Sequence, residues 1–265
     1  SGGYGLIFGR NENKAIAMSI ADASLETKGD TPSQDEEFVL THGDCLEMSG
    51  FISHLKLPHY VTFQSSLDRV RAKGGIKMRK NLGANPYVYP QPVLIVATYG
   101  EDGTVDAMNV AYGGIVNSNR IQINIGVRHK TSDNIKLKKA FTVGIADEKN
   151  LVAADYVGIV SGHDVPDKME KSGFHTVKSE FVDAPVIEEL PISLECRVEE
   201  INQYDKTLRI VAEIVNVSVD EEILDGEGKI DPEKLKALSY DPANHTYLRV
   251  GEKVGTAFSD GKKLN

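Results

Sequence analysis

Leu208-Arg-Ile-Val-Ala-Glu-Ile-Val-Asn-Val-Ser-Val219 reads as a strand that changes face partway along. Leu208, Ile210, Ala212 and Ile214 share one parity, whereas Val217 and Val219 share the other. Successive strand side chains point to opposite faces, so a parity switch inside one apolar run needs an extra residue. It predicts a β-bulge near Val215–Asn216 and hence a curved or closing sheet. Working outward, Ile192, Leu194, Cys196 and Val198 alternate with polar Ser193, Glu195 and Arg197, which predicts a strand with Cys196 pointing at the core. Ile121, Ile123, Ile125 and Val127 alternate with Gln122, Asn124 and Gly126 in the same way. Pro92 to Thr98 is a continuous apolar run, Asp102-Gly103 a hairpin turn, and Val105 to Tyr112 the returning strand; Phe141 to Ala146 adds another. Helices are expected near 132–139 and from Asp147 to about Gly158. Six strands with short turns predict a mainly β fold with some α, a small barrel rather than a doubly wound sheet. Beyond Leu224, Asp231-Pro232 provides an N-cap and first position for a short helix, and Leu235, Leu238, Tyr247 and Val250 predict a tail that folds back over the barrel or onto a partner subunit.

The first 77 residues follow a different grammar. An Ala/Met/Ile-rich helical stretch (13–25) precedes a short strand at Glu37-Phe-Val-Leu-Thr41, and Asp44 with Glu47 forms a capping-box pattern ahead of Leu46, Phe51, Ile52 and Leu55. Pro58 stops that helix. Lys73-Gly-Gly-Ile-Lys77 reads as a flexible linker before Met78, so a small α+β module over 1–77 is expected ahead of a barrel over 78–265, with the boundary near 74–81.

Composition narrows the function. Of 265 residues, 40% are apolar and 26% charged, which excludes disordered and collagen-like classes. The formal charge of −9 sets up a field that repels phosphate backbones and argues against nucleic acid as a partner. No apolar run approaches a bilayer span and no signal segment is recognisable, so no membrane and a soluble, cytoplasmic protein are expected. Cys45 and Cys196 give no disulfide framework and read as reduced thiols.

Gly3-Tyr-Gly5-Leu-Ile-Phe-Gly9 has one residue too many for a dinucleotide fingerprint and no strand before it; no Walker A, GxSxG or HExxH pattern occurs. The strongest local signal is Arg128-His-Lys-Thr-Ser-Asp-Asn-Ile135, three potential cations between a strand and a helix. Thr131 or Ser132 as N-cap would leave the first helix amides facing the same spot as Arg128 and Lys130, a setting for a phosphate monoester. An ordinary solvated strand end is the alternative. Asp106-Ala-Met-Asn-Val-Ala-Tyr-Gly-Gly114 offers small residues that let a flat ligand approach the main chain, or else a glycine-rich strand end packed on a neighbour.

With those segments in view, the chain from about Tyr89 to Leu264 resembles the flavin reductase-like, FMN-binding split-barrel family, especially its flavoredoxin-like branch. The residues that carry this are Tyr89-Pro-Gln-Pro-Val93, Met108-Asn-Val-Ala-Tyr-Gly-Gly114, His129-Lys-Thr-Ser-Asp-Asn-Ile135, Ala154-Asp-Tyr-Val-Gly-Ile-Val-Ser-Gly162, Asp167-Lys168, Ala184-Pro-Val-Ile-Glu-Glu-Leu-Pro191 and Leu194-Glu-Cys196. The resemblance implies a homodimeric six-stranded split barrel with flanking helices and FMN near the subunit interface. It puts Asn109, Val110 and Ala111 at the isoalloxazine edge, and Asn117, Ser118, Arg128, Lys130 and Thr131 at the ribityl phosphate. Ser161, Gly162, His163 and Asp164 would form a loop over the ring. NADH or NADPH would supply hydride to flavin N5, with free flavin, a redox partner protein or a small molecule as acceptor. Flavin carries its own electron sink, so the absence of a protein nucleophile agrees with this chemistry. An electron-carrier or flavin-binding module without nucleotide oxidation is the alternative.

Residues 1–77 resemble something unrelated, the C-terminal end of the I subunit of the bacterial carbon–phosphorus lyase core complex. Gly3-Tyr-Gly-Leu-Ile-Phe-Gly9, Lys14-Ala-Ile-Ala-Met18, Asp35-Glu-Glu-Phe-Val-Leu40 and Gly50-Phe-Ile-Ser-His-Leu-Lys-Leu-Pro-His-Tyr-Val61 carry that resemblance. It implies a link to phosphonate metabolism and a metal ion, taken as zinc, on His54 and His59. Five residues is a poor spacing for one helical face, but Pro58 lies between them. Further ligands would come from His42, Asp44, Cys45 or another subunit, and a docking appendage or folded remnant is the other reading.

Overall fold

The structure is a computed structural model that describes residues 79–264. Of these, residues 84–264 belong to a compact unit, Ala84–Asn265. The expected elements of 1–77, with Cys45, His54 and His59, lie outside the described residues.

The barrel sheet is built from β2 (Leu94–Tyr99), β3 (Val105–Val110), β4 (Gly113–Asn117), β5 (Arg120–Gly126), β6 (Ala140–Ile145), β9 (Ile192–Tyr204) and β10 (Thr207–Val219). Its order is β3-β2-β6-β9-β10-β5-β4, and each adjacent pair is antiparallel. The six expected strands are present. The chain turns at Tyr112 and adds β4 as a seventh on the β5 edge. Gly113 permits that turn's close packing, since a Cβ there would lie 2.8 Å from Leu94 Cδ1. A second sheet joins β1 (Gln91–Pro92), β11 (Leu238–Asp241) and β12 (Thr246–Arg249), and a third pairs β7 (Thr176–Lys178) with β8 (Pro185–Ile187). Helices α1 (Lys130–Lys138), α2 (Leu151–Ile159), α3 (Lys168–Ser172) and α4 (Pro232–Leu235) flank the sheets.

The β9–β10 ladder slips between Ile214 and Asn216, where the parity switch placed a bulge, and again between Val211 and Ala212. Between them the two irregularities bend the longest hairpin of the described residues around the core. Leu94, Val96, Ile121, Ile123, Phe141, Val143, Cys196, Leu208 and Ile210 fill the inner face. A second cluster, with Ile95, Ala107, Ala154, Val157, Phe174, Ile187 and Leu238, packs the other face of β2 and β3 against α2 and the C-terminal segments. Cys196 is fully buried as expected, and burial pushes its thiol up to about 12.

Two local expectations need correction. Neither Thr131 nor Ser132 caps α1. His129 stands at the N-cap without a side-chain cap bond, because the Thr131 hydroxyl donates to Asp106 and the Ser132 hydroxyl to Gly126 O, 2.7 Å away. Likewise α2 starts at Leu151, while Asp147 Oδ1 accepts from the Asn150 amide and Nδ2. The polar positions of β9 are not all at the surface either. Glu195 is 3% exposed and accepts from Ser179 Oγ and from Asn216 Nδ2 at 2.7 Å, so this carboxyl is buried with hydrogen-bond partners.

Candidate functional site

β3 is the end strand of its sheet, so one backbone edge has no neighbouring strand. Its last two residues, Asn109 and Val110, and the following Ala111 line a cavity of about 630 Å³. The same cavity is lined by Tyr112, Asn124, Ile125, Gly126 and His129, by Asp155, Gly158 and Ile159 of α2, and by Tyr240, His245 and Tyr247 of the β11–β12 hairpin. Helix α2 comes this close because Gly158 lacks a side chain; a Cβ there would lie 2.9 Å from Asn109 Cβ.

Polar groups around the cavity are largely committed to one another. Asn109 Nδ2 donates to Ala154 O at 3.4 Å and lies 3.5 Å from the Tyr247 hydroxyl, which itself donates to Asp155 Oδ1 at 2.7 Å. Burial, then the Asp155 carboxylate, raise the Tyr247 phenol well above its ordinary value. The Tyr240 hydroxyl and His245 Nδ1 are 2.7 Å apart. Asp241 fixes the hairpin turn by accepting from the Ala243 and Asn244 amides and from Asn244 Nδ2. The Asn244 side chain first, then the Tyr89 hydroxyl, hold its carboxyl down to about 2.

A second polar cluster sits where α1 covers the barrel end. Thr131 Oγ1 donates to Asp106 Oδ2 at 2.6 Å, and Lys168 Nζ lies 3.6 Å from Asp106 Oδ1. The Asp106 and Lys168 side chains are 3% and 5% exposed. Desolvation lowers the Lys168 ammonium from its usual value against the pull of Asp106, and the charge of Lys130 lowers it further. Gly162 lies directly on this pair: a Cβ there would be 2.2 Å from Asp106 Oδ1 and 3.1 Å from Lys130 Cδ. Lys130, Thr131, Gly162 and Lys168 therefore surround one buried carboxylate, with the first α1 amides beside them.

Of the sequence-predicted residues, Asn109, Val110 and Ala111 line the cavity, and Lys130, Thr131 and Gly162 gather about Asp106. Ser161 is exposed, its Oγ accepting from the His163 amide; Arg128 is exposed at the end of β5. Asn117 and Ser118 are not brought to the cavity within one copy. They occupy the tip of the β4–β5 hairpin, with Asn117 Oδ1 accepting from the Asn119 amide. At ~3.3 Å per residue, that tip is roughly 15 Å beyond the Tyr112 end of β4. Sequence reading missed Asp106, Asp155, Lys168, Tyr240, His245 and Tyr247 as site groups. Asp106, Asp155 and Lys168 fell inside quoted segments, and Tyr240 and Tyr247 are register partners across a short hairpin, but nothing local says that they converge.

Over residues 87–241 the chain matches the family model described as flavin reductase like domain, and over residues 1–76 the one described as bacterial phosphonate metabolism protein. It is similar to flavoredoxin of Desulfovibrio vulgaris (Miyazaki F), 33% identical with a TM-score of 0.66, over 69% of this chain and 100% of that one. Flavoredoxin from Methanosarcina acetivorans is 27% identical with a TM-score of 0.64, over 72% of this chain and 100% of that one. In the first segment, the subunit PhnI of alpha-D-ribose 1-methylphosphonate 5-triphosphate synthase from Rhizobium meliloti (strain 1021) is 51% identical over 74 residues, 26% of this chain and 20% of that protein. The chain thus spans about a fifth of the length of the phosphonate-related curated proteins it matches. Among the described residues no helix is long and apolar enough to cross a membrane.

Proposed function

The chain belongs to the flavin reductase-like domain family, and from that premise we propose that it is a cytoplasmic FMN oxidoreductase that takes hydride from NADH or NADPH at flavin N5 and passes electrons to an acceptor. The observation that carries this reading is the end of the edge strand β3, with Ala111 beyond it, opening on a cavity large enough for a tricyclic ring. When bound, the flavin supplies the hydride acceptor and the electron sink.

The chain's own residues do the holding. Main-chain polar groups of Asn109, Val110 and Ala111 orient the ring edge, and Gly158 keeps α2 close without filling the space. Arg128 and Lys130 attract the phosphate with the first α1 amides, to which Thr131 contributes its N–H because its hydroxyl is spent on Asp106. Lys168 offsets the Asp106 charge, so the carboxylate does not repel the anion from below. Ser161 and Gly162 close over this end. A homodimer completes the site, with Asn117 and Ser118 reaching the phosphate from the second copy. Ile115 and Val116, 65% and 46% exposed beside that hairpin tip, support such a contact. A redox partner protein or a small molecule serves as acceptor. Residues 1–76 link the chain to phosphonate metabolism by docking to that machinery, with His54 and His59 holding zinc.

Titrating apoprotein with FMN and then adding NADH or NADPH anaerobically tests the reading. Saturable flavin uptake followed by bleaching of the bound flavin is expected. No uptake would overturn the whole proposal, and uptake without bleaching by either nucleotide would overturn the hydride-donor half. Loss of zinc in His54→Ala and His59→Ala variants, measured by elemental analysis, tests the metal assignment; unchanged or absent zinc would refute it.

A further inference from the structure

The β11–β12 hairpin puts aromatic and imidazole groups on the cavity wall near the Asn109 edge. Tyr240 and Tyr247 form a tilted aromatic pair, with centroids 6.1 Å apart and planes at 56°, and both line the cavity. Around them, hydrogen-bonding capacity is nearly exhausted. The Tyr247 hydroxyl donates to Asp155 and receives from Asn109, and the same Asp155 oxygen is taken up by that bond. His245 differs. Its Nδ1 lies 2.7 Å from the Tyr240 hydroxyl, so Nε2 is the ring nitrogen available for proton exchange on this exposed, cavity-lining residue. The histidine backbone is left-handed, at φ 55°, and the turn before it is pinned by Asp241. That holds the ring in place instead of leaving it on a loose loop.

We infer that His245 is the proton donor for reduction of a planar conjugated acceptor of the quinone class, which packs against the Tyr247 ring. The inference rests on the flavin reading above and specifies its acceptor. The step balances as follows. Hydride from N5 of reduced flavin carries two electrons to the quinone, oxidising the flavin and leaving the hydroquinone mono-anion. The Nε2–H bond of the His245 imidazolium breaks as an O–H bond forms on that anion. Neutral His245 is then reprotonated by solvent. Tyr240 is a positioning residue that fixes the imidazole through Nδ1.

The test uses the full-length FMN-loaded protein, its flavin reduced chemically with dithionite so that no nicotinamide is needed. Duroquinone serves as the proton-requiring acceptor, since its ring carbons are fully substituted against thiol addition, and ferricyanide as the acceptor that needs no proton. His245→Asn keeps a residue type that tolerates the left-handed backbone. The ratio of the duroquinone rate to the ferricyanide rate is expected to fall by 10-fold or more in His245→Asn and several-fold in Tyr240→Phe. Equilibrium dialysis of duroquinone against the oxidised protein supplies a readout apart from turnover. Binding should weaken in Tyr247→Ala and stay within 2-fold in His245→Asn. Wild-type duroquinone rates in His245→Asn, or equal slowing with ferricyanide, would overturn the proton-donor role. Unchanged duroquinone binding in Tyr247→Ala would overturn the aromatic wall. A protein that takes up no FMN would instead sink the flavin reading itself.

Discussion

At the scale of single residues, the proposed flavin site rests on charge placement. Arg128 and Lys130 are cations in a chain of net charge −9, so their attraction for a phosphate acts locally against a general repulsion. Replacing both with alanine should weaken FMN binding by about 2–4 kcal/mol, with the larger loss at low salt. Riboflavin, which has no phosphate, should bind equally well to both proteins; isothermal titration with the two ligands checks this, and equal losses would move the phosphate elsewhere. Asp106 illustrates what sequence could not reveal at this scale. It was visible as one end of a small-residue segment, but its meeting with Thr131 and Lys168 depends on α1 and α3 arriving at the same barrel end. The same meeting explains the failed cap: Thr131 had a stronger partner 25 residues away in sequence than the amides of its own helix.

At the scale of elements, parity was the most informative signal. The face change between Ile214 and Val217 identified a real bulge, and the change between Val198 and Ile201, equally readable, marks the second irregularity. The β11–β12 hairpin was less legible. Its strands are only four residues each, and its turn is set by Asp241 accepting several hydrogen bonds at once. That carboxyl is lowered from 3.8 to about 2, chiefly by the Asn244 side chain. A depressed carboxyl contributes stability that is fully present above its unfolded value and is lost as pH falls through the folded one. The hairpin should therefore stay protected above pH 3.8 and loosen progressively toward pH 2. Amide exchange at Ala243 and Asn244, followed by NMR across that range, should show protection falling; in Asp241→Asn the pH dependence should vanish.

At the scale of the whole described unit, two cores pack the opposite faces of one sheet. Cys196 lies wholly inside the inner core, with its thiol pushed up to about 12. Thiolate is the reactive species, so Cys196 should resist iodoacetamide in native protein at neutral pH and react fully after denaturation. Peptide mass mapping of the two states checks this, and rapid native labelling would contradict the packing. The barrel was legible because its repeating apolar faces are a local property of each strand. Convergence of Tyr240, His245 and Tyr247 on the β3 edge was not, since it requires β11 to pair with β1 about 150 residues earlier.

That pairing has a practical side. Gln91 and Pro92 zip onto Tyr240 and Ser239, and the Tyr89 hydroxyl fastens to Asp241 at the hairpin turn. The opening residues of the unit thus act as a buckle for the β11–β12 hairpin rather than a disposable lead-in. Anyone trimming the chain to obtain the barrel alone should cut no later than Ala84. A start at Gln91 would leave the strap unfastened beside the chamber it is meant to frame.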